Sequence, residues 1–490
     1  MSGSAASDAD VRESQRDAGL IRTLGPWTVA AGAISMIVGA GIFAVPAALA
    51  ASVGPYAPLA FLTCGFAVGA VAICFAEGCS RLPTSGGIYG LVEATCGPLA
   101  AFVVGSLLWV GCVLACGGVA AALADVVCSA LPRSARASVH AAVIIGVVGG
   151  IALINITGVS RGARLVGATT MLKLLPLVIF VVAGAGVAVH GSTLPRTVPP
   201  DAQDFGRALI LAVFAFIGME TPLCASGEVR QPNRTIPRAL AIAVLSTTAL
   251  YMAIQIVAQG ILGPALATSK APLADAMGRI HPALRAVMLA GTALSMFGYL
   301  GSDILGSPRQ LFALARDGLM PGALGRLHRR SHAPHVAILC YAALAIILGL
   351  TGSFAELAVL STLAIAPLYI GGCAAAWMLA RRGVAMAGPP LGFPLLGTAA
   401  VIGIGGMSAL IALASRREII GLVTLAALSA LAFLFQAPRR SRHAATDAGP
   451  LSMVAPSAPA DATILEQRPD IRTAPVEIAE QIERLGGAPP

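Results

Sequence analysis

Apolar stretches of about eighteen residues or more recur along this 490-residue chain, and ~20 such residues are what a helix needs to cross a bilayer. Twelve can be drawn, at roughly 27 to 52, 57 to 79, 97 to 127, 139 to 158, 165 to 189, 205 to 225, 238 to 262, 284 to 306, 335 to 352, 357 to 380, 393 to 414 and 417 to 437. A lipid core offers no partner to backbone N–H and C=O groups, so segments of this kind become helices that satisfy themselves. At 57% apolar and only 11% charged, the chain has too little polar surface for a soluble domain of its length. The expected fold class is an all-α integral membrane protein with 12 transmembrane helices.

Charge then sets the topology. A net charge of +9 in a soluble protein would suggest nucleic acid, but here the first question is where the basic residues fall relative to the bilayer. With twelve spans both ends lie on one side. That side collects nineteen arginines between Arg12 and Arg442, against nine basic residues between Arg133 and Arg417 on the other. Basic loops stay in the cytoplasm, so both termini are expected there, the partner is a lipid bilayer, and no nucleic-acid partner is expected.

Residues 1 to 24 are polar and read as a tail rather than a cleaved signal peptide. Residues 438 to 490 form a second tail, expected to be mobile. Within it, Pro475 can open a helix with Ile478, Ile482 and Leu485 on one face, which either docks on a partner or stays a marginal, solvated segment. The ten cysteines fall in or beside apolar segments with no CxxC pair and read as small packing residues. Cys112 and Cys116 share a helix face, but two thiols alone make a weak metal site. No metal and no cofactor is expected.

Two segments carry residues that helices tolerate poorly. The first contains Val38-Gly39-Ala40-Gly41-Ile42-Phe43-Ala44-Val45-Pro46. Each glycine weakens a helix by about 1 kcal/mol relative to alanine, and Pro46 removes a backbone donor. The sixth contains Phe214-Ala215-Phe216-Ile217-Gly218-Met219-Glu220-Thr221-Pro222, a break with a carboxylic acid in it. Backbone freed by such breaks persists in a membrane only where protein, water or a ligand satisfies it. In transporters built from two inverted five-span repeats, the broken first helix of each repeat meets the other near the midplane, half-helix N-termini attracting anions and unwound carbonyls attracting cations. Breaks in segments one and six match that plan, with residues 25 to 189 and 205 to 380 as the repeats and two extra C-terminal helices at 393 to 437. The N–H groups of Gly39, Ala40 and Gly41 suit a carboxylate, and carbonyls between Ala215 and Gly218 suit an ammonium. A molecule with both is an amino acid.

The intramembrane charges are few. An ammonium at the bilayer centre costs ~2.5 to 3.5 kcal/mol, so Lys173 in the fifth segment reads either as facing a functional cavity or as snorkelling toward the cytoplasmic end beside Arg164. Glu220 reads as a proton-exchanging acid or as a cap for the broken backbone. Asp303 in the eighth segment either contacts substrate or a coupling cation, or pairs with Arg309 or Lys173. Glu77 is expected to pair with Arg81 at i, i+4. The stretch 310–321 has helical spacing and a Gly-then-Pro stop, expected to be a short helix on the cytoplasmic surface. No GxxxxGK[ST], HExxH or GxSxG is present, which speaks against ATP-driven pumping and against a membrane-embedded enzyme. A transport-dead nutrient sensor would need a signalling domain that the C-terminal tail does not supply.

The chain resembles bacterial amino-acid permeases of the amino acid–polyamine–organocation (APC) superfamily, related to the arginine/agmatine antiporter and to proton-coupled permeases. The residues that carry the resemblance are Gly39-Ala40-Gly41-Ile42-Phe43, Pro83-Thr84-Ser85-Gly86-Gly87-Ile88-Tyr89, Phe214-Ala215-Phe216-Ile217-Gly218-Met219-Glu220, Pro232-Asn233-Arg234-Thr235-Ile236-Pro237 and Ala315-Arg316-Asp317-Gly318-Leu319-Met320-Pro321. It implies a leucine-transporter-like (LeuT-like) 5+5 inverted repeat in the cytoplasmic (inner) membrane, with a small-molecule amino acid and protons as partners; monomer and homodimer both stay open. It further implies that the amides of Gly39, Ala40 and Gly41 hold the substrate carboxylate, that the carbonyls of Ile37, Phe214, Ala215 and Ile217 hold its amino group, and that Phe214 helps to gate the site. Glu220 matches the acid that couples protonation to transport, and Lys173 the lysine that stands where sodium sits in sodium-coupled relatives. The expected activity is sodium-independent amino-acid transport by proton symport or exchange, with polyamine or amine antiport as the alternative. The chain departs from the antiporter in having Phe214 in place of tryptophan and Asp303 near another of its aromatics, so arginine/agmatine specificity does not carry over. An acidic Asp303 hints at a polar or cationic substrate side chain.

Overall fold

Prolines mark where helices begin in this protein, because a residue at the first turn has no intrahelical acceptor to lose. In the computed structural model, Pro26, Pro98, Pro232, Pro272 and Pro282 are each the first residue of a helix. The structure describes residues 26–447 except 83–86, 130–131, 133–135, 158–172, 191–198, 221–222, 224–228, 230, 317–319, 330, 332 and 387–388. Residues 1–25 and 448–490, with the 475–486 stretch, therefore lie outside the described residues, as do Pro83 to Gly86, Arg161 and Arg164, Thr221 and Pro222, and Asp317 to Leu319, whereas the first ten residues of the expected C-terminal tail, 438–447, continue the last helix.

The chain runs through α1 (Pro26–Ile37), α2 (Gly41–Val53), α3 (Ala57–Arg81), α4 (Gly87–Cys96), α5 (Pro98–Ser129), α6 (Arg136–Thr157), α7 (Leu174–His190) and α8 (Ala202–Phe214). It continues through α9 (Pro232–Leu262), α10 (Pro272–Ile280), α11 (Pro282–Arg316), α12 (His335–Thr351), α13 (Phe354–Arg381), α14 (Leu396–Ala412) and α15 (Arg416–Asp447). Among the described residues the regular structure is helical, with seven spans long and apolar enough to cross a membrane and three shorter apolar helices at Leu174–Ala188, His335–Thr351 and Leu396–Ala412. One of the seven, Gly41–Arg81, contains both α2 and α3, joined by a tight turn at Gly54–Tyr56. The helices of Met1–Arg440 share one large apolar core, and in Ser441–Pro490 the described residues 441–447 are helical.

The expected surface helix at 310–321 is not a separate element. The helix of the eighth segment runs on through Pro308 to Arg316. A proline forfeits only one helical hydrogen bond, and tertiary packing compensates for it here: Leu311 and Leu314 are buried, and Leu314 packs against Phe102 of α5.

The pair expected at the end of α3 forms, with Arg81 Nε 2.7 Å from Glu77 Oε1. Its purpose becomes visible only in three dimensions. The fully buried Glu77 also accepts from the backbone N–H of Gly392 at 3.3 Å and of Phe393 at 3.0 Å, while Arg81 donates to the carbonyl of Val384 at 3.2 Å and Ser80 Oγ accepts from Leu391 N–H at 3.1 Å. One turn of α3 thus holds the connection between α13 and α14. Removing one partner of a buried ion pair costs about 3 to 5 kcal/mol because the other charge is stranded. Glu77→Ala is expected to lower the thermal unfolding midpoint of purified protein by several degrees, whereas Glu93→Ala on the half-exposed face of α4 leaves it in place.

Candidate functional site

The first apolar segment breaks where its glycines fall. α1 stops at Ile37 and α2 starts at Gly41, with residues 38–40 outside either helix. The N–H of Val38 still donates to Ile34 (2.7 Å), and that of Gly39 turns back onto the carbonyl of Ile37 (2.7 Å). The N–H groups of Ala40 and Gly41 have no backbone acceptor among the described residues, and the helix has no side-chain cap. They are the open donors that every helix presents at its N-terminus, where the dipole is positive.

The sixth segment breaks by tightening. After α8 ends, the N–H groups of Ala215, Phe216 and Ile217 reach back three residues to Ala212 (3.1 Å), Val213 (2.9 Å) and Phe214 (3.3 Å). The chain then reverses at Gly218, whose φ of +116° is open to glycine and hostile to residues with a Cβ. The two breaks touch. A Cβ on Gly218 would stand 2.9 Å from the carbonyl oxygen of Met36, and one on Gly41 would stand 3.1 Å from Cα of Ala215.

Tyr251 of α9 joins them. Its buried hydroxyl lies 2.9 Å from the carbonyl of Ile37 and 3.0 Å from that of Ala215, so one hydrogen is shared between the two broken helices. Phe61 and Phe216 hold its ring, at centroid distances of 5.5 and 5.3 Å. The same helix face carries Gln255, which donates to the carbonyl of Pro46 (3.4 Å), and Gln259, which donates to that of Gly54 (2.7 Å). Sequence reasoning missed this stripe, although polar residues at i, i+4 and i+8 in an otherwise apolar segment are a readable sign that one face meets exposed backbone.

Between the breaks lies a cavity of about 20 Å³, bounded by Met36, Ile37, Gly39, Ala40, Gly41, Val119, Phe214, Ile217 and Tyr299. That is room for about one water molecule, so any larger ligand requires the broken helices to part. Its side chains are apolar apart from the hydroxyl of Tyr299. Phe214 packs edge-on against Phe354 at 5.6 Å. Beside the second break, Glu220 is buried and accepts from Gly218 N–H (3.1 Å) and from the hydroxyl of Tyr369 (2.8 Å), both on Oε2.

Residues 24–434 match the family model described as amino acid permease. The chain belongs to that family. Its relatives include the branched-chain amino acid permease BcaP of Bacillus subtilis, 27% identical over 69% of this chain and 77% of that protein. The methylthioribose transporter of the same organism is 27% identical over 63% of this chain and 70% of its own. An uncharacterized transporter of Mycobacterium tuberculosis is 33% identical over 65% and 71% respectively.

The permease gathers most of the residues singled out in its sequence at one place: Ile37, Gly39, Ala40, Gly41, Phe214 and Ile217 border the cavity, Ala215 and Gly218 cross the first break, and Glu220 is bonded to the second. Asp303 stands elsewhere. It is buried, one helical turn beyond Tyr299 on α11, and its carboxylate accepts from Ser307 (2.8 Å) and from the hydroxyl of Tyr341 on α12 rather than bordering the cavity. Lys173 is buried immediately ahead of α7 and is likewise outside the cavity lining. The nine described cysteines are free thiols; Cys224 falls outside the described residues.

Proposed function

We propose that this permease is a sodium-independent secondary transporter that carries amino acids across the cytoplasmic membrane by proton symport or exchange. It would use twelve spans, the 5+5 inverted repeat of broken first and sixth helices, and cytoplasmic termini. The observation that carries this reading is the pair of open amides at Ala40 and Gly41, at a positive helix end, facing the same cavity as Phe214 and Ile217 of the second break. The amides take the substrate carboxylate. The amino group goes to carbonyls at the two breaks, among them those of Ile37 and Ala215, which share the hydroxyl of Tyr251.

The side-chain end of the cavity favours an apolar substrate. Met36, Ile37, Val119, Phe214 and Ile217 place no charge there, and Asp303 is committed to Tyr341 and Ser307. The relative named as a branched-chain amino acid permease is consistent with this choice. Glu220 serves as the proton carrier: its hydrogen bonds from Gly218 and Tyr369 fall on Oε2, so a proton on Oε1 can come and go without breaking either of them. Lys173 supplies the fixed positive charge that makes sodium unnecessary.

In proteoliposomes with an inwardly directed proton gradient, labelled leucine, isoleucine or valine is expected to accumulate without sodium, and excess unlabelled branched-chain amino acid to block it. Competition by putrescine and not by any amino acid would replace this reading with amine exchange. Accumulation that requires sodium would overturn the assignment of Lys173.

A further inference from the structure

A pocket lined by basic residues lies far from the broken helices in sequence, in the connection between α11 and α12. It is a surface-open pocket of about 670 Å³ bordered by Arg326, Leu327, His328, Arg329 and His335. Two arginines and two histidines surround it without an acid, and among the described residues none of the four is paired with a carboxylate. Arg326 and Arg329 are exposed. The Nδ1 atom of His335 is buried without a hydrogen-bond partner.

The N–H groups of His328 and His335 both donate to the carbonyl of Ala333 at 2.8 Å, the hydroxyl of Ser331 lies 3.0 Å from His328 Nδ1, and the two imidazoles meet edge-on at 5.8 Å. His335 is also the first residue of α12, whose N-terminus has no side-chain cap. Two arginines with no carboxylate partner among the described residues, beside an open helix N-terminus, call for an anion. Arginine forks match the paired oxygens of a phosphate.

We propose that this cavity binds a phosphate group, and that the phosphate belongs to an anionic lipid. The connection joins two apolar helices, so it lies at a membrane surface, and Leu327 exposes its side chain between the two arginines. Basic pockets between membrane helices on the cytoplasmic side recognise lipid headgroups in this way.

The test uses the full chain in neutral detergent, following the thermal unfolding midpoint with added phosphatidylglycerol, phosphatidylcholine or inorganic phosphate. Phosphatidylglycerol is expected to raise the midpoint and the other two to leave it unchanged. Arg326→Gln with Arg329→Gln is expected to weaken the phosphatidylglycerol response about tenfold or more, with the detergent-only midpoint preserved. Should that variant fold poorly, Arg326→Lys with Arg329→Lys keeps the charge and is expected to keep the preference for phosphatidylglycerol over phosphatidylcholine. Equal protection by both lipids, or an undiminished response in the glutamine variant, overturns the site. Protection by inorganic phosphate equal to that by phosphatidylglycerol overturns the lipid as the source and assigns the cavity to a soluble phosphate compound.

Discussion

Gly218→Ala is expected to reduce amino-acid uptake at least tenfold while the protein still inserts and purifies. Two effects add. The backbone at +116° is one that alanine adopts at a cost of about 1 to 3 kcal/mol, and the new methyl would sit 2.9 Å from the carbonyl oxygen of Met36. The second break must then withdraw from the first, which separates the carbonyls that Tyr251 bridges and moves Ile217 away from the amides of Ala40 and Gly41. Uptake assays in proteoliposomes containing equal amounts of folded protein decide the point. Uptake within twofold of the parent would mean that close contact of the breaks is not required for transport. Gly186→Ala is the appropriate control, since a Cβ there meets open space.

Glu220→Gln is expected to abolish accumulation driven by a proton gradient and to spare exchange of internal for external substrate. Glutamine keeps an oxygen that can accept from Tyr369 and from Gly218 N–H, so the local structure persists. What it cannot do is bind and release a proton. The diagnostic is the split between the two assays: accumulation against a gradient lost by tenfold or more, with counterflow at close to parental rate. Loss of both would make Glu220 a structural cap of the break, the other reading that its position in the sequence permits. Unchanged accumulation would remove it from coupling altogether.

The backbone breaks of the candidate site are legible in the sequence, for a local reason. Apolar run length and breaker residues act within one segment, so Gly39, Gly41 and Gly218 mark breaks wherever the segment ends up in the bundle. The contact of Glu77 with Arg81 was legible in the same way, because i, i+4 spacing puts both on one helix face. Segment bounds could also mislead: the eighth segment reads to about 306 with a separate helix after it, yet α11 runs on through Pro308 to Arg316 because Leu311 and Leu314 are buried.

What the sequence by itself determined is therefore the class of the protein, a multi-span helical permease, and the places where its backbone opens. The tertiary structure decided how the opened backbone is shared out. Gly39's amide turns inward to Ile37, while those of Ala40 and Gly41 have no backbone acceptor among the described residues; Tyr251, 214 positions from Ile37 along the chain, bridges the carbonyls of the two breaks; and Asp303 accepts from Tyr341 instead of bordering the cavity. Hydrogen bonds between distant segments depend on which helix faces meet and how closely, and that follows from the packing of the whole bundle; the spacing of Tyr251, Gln255 and Gln259 marks a polar face but does not say which carbonyls it meets.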